Sequence, residues 1–355
     1  MSFKRSIFNV VLCYKHYQSN PGISHIGLGV TAMNCAKYLS SRGIRCSVFP
    51  AAKEKDIEDY LNDNPDVTHF NVSALWVKTA TLAKWAAMFP KVQFSITCHS
   101  NAAFLQHEPE AITLIREGTN LEELSLNFHV CGNNERFCQF IEQSYGGVCS
   151  HLPNLYWVNT VHNDRHHTQW AGGILRIGIF GAMRSLKNFN TAAAAAAQIA
   201  RMLRVNTEVW VNVARRDSSD ADVVLRAVRN TLKNLPRVEL VEMPWAPWPE
   251  FRKNVGSMNL LLQPSHSETF NNVTADGIAE GVPSVVSDTI EWAPDRWKAN
   301  VDDVNDIATT GVALLMDPNA ARVGLQALQR RNQYGFGLWL AYLKDSYNNQ
   351  ISQSY

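Results

Sequence analysis

At 355 residues the chain exceeds the size that one hydrophobic core usually serves, so two domains are expected. Its 46% hydrophobic and 18% charged residues exclude extended disorder, and a net charge of +1 excludes a global field drawing it onto nucleic acid or anionic membrane. Seven cysteines, all in the first half and without a CxxC pair, read as small buried residues of a reducing compartment rather than a zinc or redox centre.

Near the N-terminus the apolar stretch at 10–13 is too short for a signal peptide, and no stretch suits stable membrane insertion, so a cytoplasmic protein is expected. That stretch reads as a strand, followed by a helix over 30–41 and a strand over 44–49. In the helix Ala32, Cys35, Ala36 and Leu39 recur at helical spacing, and Gly43 suits a left-handed C-terminal cap. The alternation continues through strands at 92–97 and 125–131, with helices after Asn101 and from about Asn133, giving an α/β domain over 1–157.

The polar stretch 158–173 reads as a linker. Its His162, Asp164, His166 and His167 read as a solvated hinge rather than metal ligands, because no scaffold flanks them. A second domain over 174–333 opens with a strand at 174–180 and a tightly packed alanine-rich helix that Asn190 would cap. Strands follow at 208–213, 238–241, 259–262 and 284–286. Trp245 and Trp248, in a Pro-rich stretch, read as packing, and 334–355 as a C-terminal helix returning to the first domain. Both halves thus read as doubly wound sheets, whose ligands bind beyond the carboxyl ends of the strands.

Three stretches carry candidate chemistry. After the strand at 259–262 comes Glu268 in a loop, then a helix bearing Asp276; amides around Phe270, Asn271, Asn272 and Val273 would face a phosphate from the helix N-terminus. A lone loop acid is ordinarily solvated, and an acid near a helix start is ordinarily there for the dipole. Directly after the strand at 174–180, Gly181 opens a basic loop with Arg184 and Lys187, cations suited to a leaving group that gains negative charge. His99 sits just past the strand at 92–97.

The stretch from Pro264 to Pro283 resembles the signature of group-one, mostly retaining glycosyltransferases of the GT-B fold, in which two doubly wound Rossmann-like domains face a central cleft. In that family two acids are separated by seven residues, as Glu268 and Asp276 are, and Gly281-Val282-Pro283 matches the turn that follows. The resemblance implies that Glu268 bonds the donor sugar's hydroxyls, Asp276 the ribose, and Lys187 with Arg184 the diphosphate. It further places His99 near the reacting sugar and Gly27 and Gly29 in a glycine loop over the donor phosphates. Four positions depart from the pattern: Asp276-Gly277 replaces Glu-Ala, Asn271 a common Gly, and Ala182 an Arg, for which Arg184 would substitute.

The implied activity is transfer of a sugar from a UDP- or GDP-type sugar nucleotide to an acceptor hydroxyl, with retention and without metal or other cofactor. A sugar-nucleotide epimerase and a catalytically silent sugar-nucleotide binder are the alternatives. An NAD-dependent dehydrogenase ranks lower: Gly27 to Ala32 fits GxGxxA, but residues 14–26 separate it from its strand and no acid ends the next one. The acceptor is not identified by the sequence. The acids Glu108, Glu110, Glu117, Glu122 and Glu123 against Arg116 disfavour a membrane acceptor; Arg201, Arg204, Arg215 and Arg216 leave a nucleic-acid acceptor open, to which the near-neutral net charge gives little support.

Overall fold

The computed structural model describes residues 7–16, 26–125, 127–158, 173–213 and 220–352. His162, Asp164, His166 and His167, like Arg215 and Arg216, lie outside the described residues. The chain forms two compact units, passing from one to the other between Trp157 and Val158 and again between Arg331 and Asn332.

In the first unit, in chain order, come β1 (Asn9–Lys15), α1 (Ile26–Ser41), β2 (Arg45–Ala51), α2 (Glu54–Asp63), β3 (His69–Ser73) and α3 (Thr79–Met88). There follow β4 (Gln93–Cys98), α4 (Pro109–Leu124), β5 (Phe128–Gly132), α5 (Glu135–Tyr145) and β6 (Ser150–His151). The strands form one parallel sheet in the order β2-β1-β3-β4-β5-β6. Successive side chains alternate between its faces. Val11, Phe70, Val72, Phe94, Ile96, Phe128 and Val130 meet Ile57, Leu82, Trp85, Ile115, Phe137 and Ile141 from α2 to α5. On the other face Val10 and Leu12 meet Ala32, Cys35, Ala36 and Leu39 of α1. Where that face reaches β3 and β4 it carries His69, Asn71, Gln93, Ser95 and Thr97, all buried.

The second unit begins with β7 (Ile174–Ile179), α6 (Phe189–Leu203), β8 (Asn206–Asn212), α7 (Ala221–Leu232) and β9 (Val238–Met243). It continues with α8 (Trp248–Gly256), β10 (Leu260–Gln263), α9 (Asn272–Ala279), β11 (Ser284–Val286) and α10 (Val304–Met316). Its parallel sheet has the order β11-β10-β7-β8-β9. Gly311 of α10 leaves room for the Ile199 side chain of α6, since a methyl added there would lie 2.8 Å from Ile199 Cδ1, so the two helices pack closely at this point.

Several expectations need correction. The N-cap position of α6 is Asn188 rather than Asn190, and its side chain makes no capping hydrogen bond. The first helix starts at Ile26, four residues before the expected start at 30, so Gly27 and Gly29 lie in its first turn and not in a loop. The last helix, α11 (Ala320–Ser352), starts well before 334. Its Trp339, Tyr342 and Leu343 join the core of the first unit beside α1.

Candidate active site

In the second unit successive strands run outward from β7 through β8 to β9, and the chain then returns to the other side of β7 to form β10 and β11. The order reverses between β7 and β10, so the loops leaving their carboxyl ends diverge and open a crevice. The loop after β7 turns at Gly181, whose φ of 131° suits glycine. Asn212 at the end of β8 clamps this turn, accepting from the Gly181 amide and donating to its carbonyl, both at 2.9 Å.

A short 3-10 turn, Ser185–Lys187, then delivers Lys187, with half-buried Arg184 just ahead of it. Asn188 follows in the left-handed region, φ 56°, where asparagine is tolerated. Its side-chain amide donates to the carbonyls of Pro264 at 3.0 Å and Val301 at 2.9 Å. The amide of His266 donates to the Leu186 carbonyl at 2.9 Å. These bonds lace the β7 loop to the β10 loop and bring the Lys187 ammonium onto Oε1 of Glu268. The side chains are only 23% and 7% exposed, respectively, so the pair is largely withdrawn from water.

Asn271 completes the arrangement. Its Nδ2 donates to the same Glu268 oxygen at 2.8 Å and to Gln263 at 3.1 Å, while its Oδ1 accepts from the Thr274 amide and caps α9. Its φ is 64°, so the asparagine that replaces a common glycine keeps the left-handed backbone and adds a capping side chain. Asn272 and Val273 open α9 and are half-buried. Phe270 is an anchor: it stacks on Trp292 with ring centroids 5.2 Å apart, and its carbonyl accepts from the indole at 2.7 Å.

Asp276 lies in the middle of α9, buried, with Oδ1 accepting from the indole N–H of Trp248. Trp248 heads α8; the Arg252 guanidinium lies 5.4 Å from its ring centroid and also pairs with Glu280. Sequence reasoning left Trp248 as packing. The usable signal was the Pro247-Trp248-Pro249 run, since proline is favoured at helix starts.

In the first unit His99 follows β4, and Nδ2 of Asn133 approaches its Nδ1 at 3.3 Å. Burial pulls the imidazole down to about 4, so it is neutral at pH 7. Gly29 serves packing, because an added methyl would lie 3.1 Å from the Tyr14 ring; around Gly27 there is nothing within 4 Å. The switch point of this sheet lies between β1 and β3. There Lys15 reaches over the Trp76 ring at 5.2 Å, and Ala74 holds a φ of 68°, a strained value for a residue with a side chain. The sequence reading passed over β3 and so missed both. Among the described residues no three His, Cys, Asp or Glu are gathered as a metal would need, and no helix is long and apolar enough to cross a membrane.

No protein-family model matches the chain, and a search of curated proteins gave no match. Solved structures do match, and they show the GT-B fold. A mutant of S. aureus TarM in complex with Fondaparinux, alpha-GlcNAc-glycerol and UDP superposes with a TM-score of 0.59 at 14% identity, over 82% of this chain and 58% of that one. The chain thus spans less than two thirds of that protein's length. A UDP-forming alpha,alpha-trehalose-phosphate synthase of Burkholderia vietnamiensis gives 0.63 at 9% identity, over 99% of both chains. Sucrose-phosphate synthase of Thermosynechococcus elongatus gives 0.61 at 13% identity, over 98% of this chain and 99% of that one.

Proposed function

We propose that this GT-B chain is a cytoplasmic glycosyltransferase that moves a sugar from a UDP- or GDP-type sugar nucleotide to an acceptor hydroxyl with retention of configuration. The observation that carries the reading is the convergence of Lys187 and Glu268 at the switch point of the second sheet, beside the N-terminus of α9. Two of the compared structures are named synthases of sugar phosphates, one of them UDP-forming, and the third holds UDP.

The chemistry follows from the side chains. As the bond from the anomeric carbon to the diphosphate breaks, negative charge grows on the leaving oxygen, and Lys187, Arg184 and the first amides of α9 stabilise it. Glu268 accepts hydrogen bonds from the sugar's hydroxyls and aligns the anomeric carbon, while Asp276 meets the ribose. The leaving diphosphate takes the acceptor's proton, so the step needs no separate carboxylate base. Neutral His99 contributes a hydrogen bond rather than a charge near the reacting sugar.

Thermal-shift measurement against a panel of UDP- and GDP-sugars tests the reading, with stabilisation by at least one expected. Stabilisation by NAD and by no sugar nucleotide would overturn it. A catalytically silent sugar-nucleotide binder is the second reading, favoured by Ala182 in place of an arginine and by the bond from Asp276 to Trp248. Hydrolysis of the bound donor by the purified protein would exclude it.

A further inference from the structure

We propose that two stretches at the amino ends of β8 and β9 dock the second unit onto an anionic lipid surface. The first, residues 201–206 at the exit of α6, carries Arg201, Met202 and Arg204. The second, residues 233–237 between α7 and β9, carries Lys233, Leu235 and Arg237, and all six side chains are exposed. The stretches are tied together: Nη1 of Arg237 donates to the Arg204 carbonyl at 3.1 Å, and the Thr207 amide donates to the Arg237 carbonyl at 2.8 Å.

Neither stretch contains an acid, and among the described residues none of the four cations pairs with a carboxylate. Elsewhere in the unit the reverse holds: Arg176, Arg229 and Arg252 pair with Glu208, Glu242 and Glu280. The flanking acids are Glu208, which Arg176 holds, and Glu239. Arg204 and Arg237 have φ of 54° and 65°, where glycine is less strained, so backbone preference does not account for arginine at either position. The helix dipole favours cations at the end of α6, but it gives no reason for Met202 and Leu235 to stand 44% and 37% exposed beside them.

Cations alternating with apolar side chains fit a bilayer interface, where arginines meet lipid phosphates while methionine and leucine enter the acyl boundary. Nucleic acid would meet the cations but has no use for the apolar side chains, and neither stretch offers an aromatic ring for base stacking. A net charge of +1 provides no global attraction, so binding is confined to this patch. In the parallel sheet these amino ends lie opposite the carboxyl ends that Lys187 and Glu268 follow, so docking leaves the donor crevice uncovered.

Sedimentation of the purified chain with vesicles of phosphatidylcholine, alone or with about one third phosphatidylserine, at about 0.05 M and about 0.5 M salt tests the proposal. Binding to the anionic vesicles at low salt, lost at high salt and absent from neutral vesicles, is expected. Each neutralised cation should weaken binding about fivefold, as Arg201→Gln alone would show, and Arg201→Gln with Arg204→Gly and Arg237→Gly should weaken it on the order of a hundredfold. Glycine relieves the backbone at both positions, so the triple variant should melt cooperatively like the wild type. Met202→Ser with Leu235→Ser should weaken vesicle binding by about threefold or more. Absence of binding to anionic vesicles, or undiminished binding by the arginine variants, overturns the proposal. Undiminished binding by the serine variant overturns the lipid assignment, as does RNA that binds more tightly than the vesicles through the same arginines.

Discussion

The indole N–H of Trp248 donates to Oδ1 of Asp276 at 3.0 Å, tying the first residue of α8 to the middle of α9. Asp276 is 2% exposed, so water is poorly placed to replace this bond if it is removed. Trp248→Phe should therefore lower the unfolding free energy by about 1–3 kcal/mol. The measurement is urea denaturation of a double-mutant cycle with Asp276→Ala. The loss from Trp248→Phe should shrink in the Asp276→Ala background, and strictly additive losses would remove the bond from the account.

Acid should weaken the first unit through His69. Burial, aided by nearby His129, pulls this imidazole from 6.5 down to about 3, and its ring nitrogens contact Thr68 and Ser346 at 2.9 Å. The unfolded chain takes up this proton below about pH 6.5, whereas the folded chain does not until about pH 3. Stability present above pH 6.5 is thus lost as the pH falls through that window, by about 2 kcal/mol at pH 5. Urea denaturation at pH 7 and pH 5 should show this loss in the wild type and a smaller one in His69→Gln. Equal losses would place the acid sensitivity elsewhere.

Gly277 should resist the alanine that the resembling family carries after its second acid. A methyl there would lie 2.6 Å from Cδ1 of Leu261 and 3.0 Å from the Val282 carbonyl oxygen. Alanine favours a helix interior by about 1 kcal/mol over glycine, but overpacking costs about 1–3 kcal/mol, so Gly277→Ala should be destabilising or neutral. A clear gain in the urea midpoint would show that α9 can shift away from β10.

Donor binding should not depend on a divalent ion, because Lys187 and Arg184 supply the charge that a metal would bring to the diphosphate. Sugar-nucleotide affinity and transfer rate in excess chelator should stay within about twofold of those with manganese, given that stabilisation comes from side chains. Activity lost in chelator and restored by manganese would overturn this expectation.

Much of the fold was legible because buried parallel strands announce themselves as short apolar runs separated by helical periodicity, as at Val10 and Ile174. The strand β3 escaped because it carries His69, Asn71 and Ser73 on the face where such strands are usually apolar. In the site, the seven-residue spacing of Glu268 and Asp276 and the loop of Lys187 are local features and could be read directly. The partners were not local. Asn188 sits at the N-cap position of α6 without a capping side-chain bond, its amide donating instead to Pro264 and Val301, contacts that span 76 and 113 residues. For the same reason nothing near Asp276 in the sequence pointed to Trp248.

The helix α11 has a consequence for synthesis. Trp339, Tyr342 and Leu343 belong to the apolar core that also holds Val10, Leu12 and Leu39. A ribosome therefore releases the first strands long before the side chains that complete their packing have been translated. The unit that is begun first is finished last, after every strand of the second unit has already emerged. During that interval the β1 and α1 face is left partly uncovered, and a fragment ending at residue 331 would keep it so.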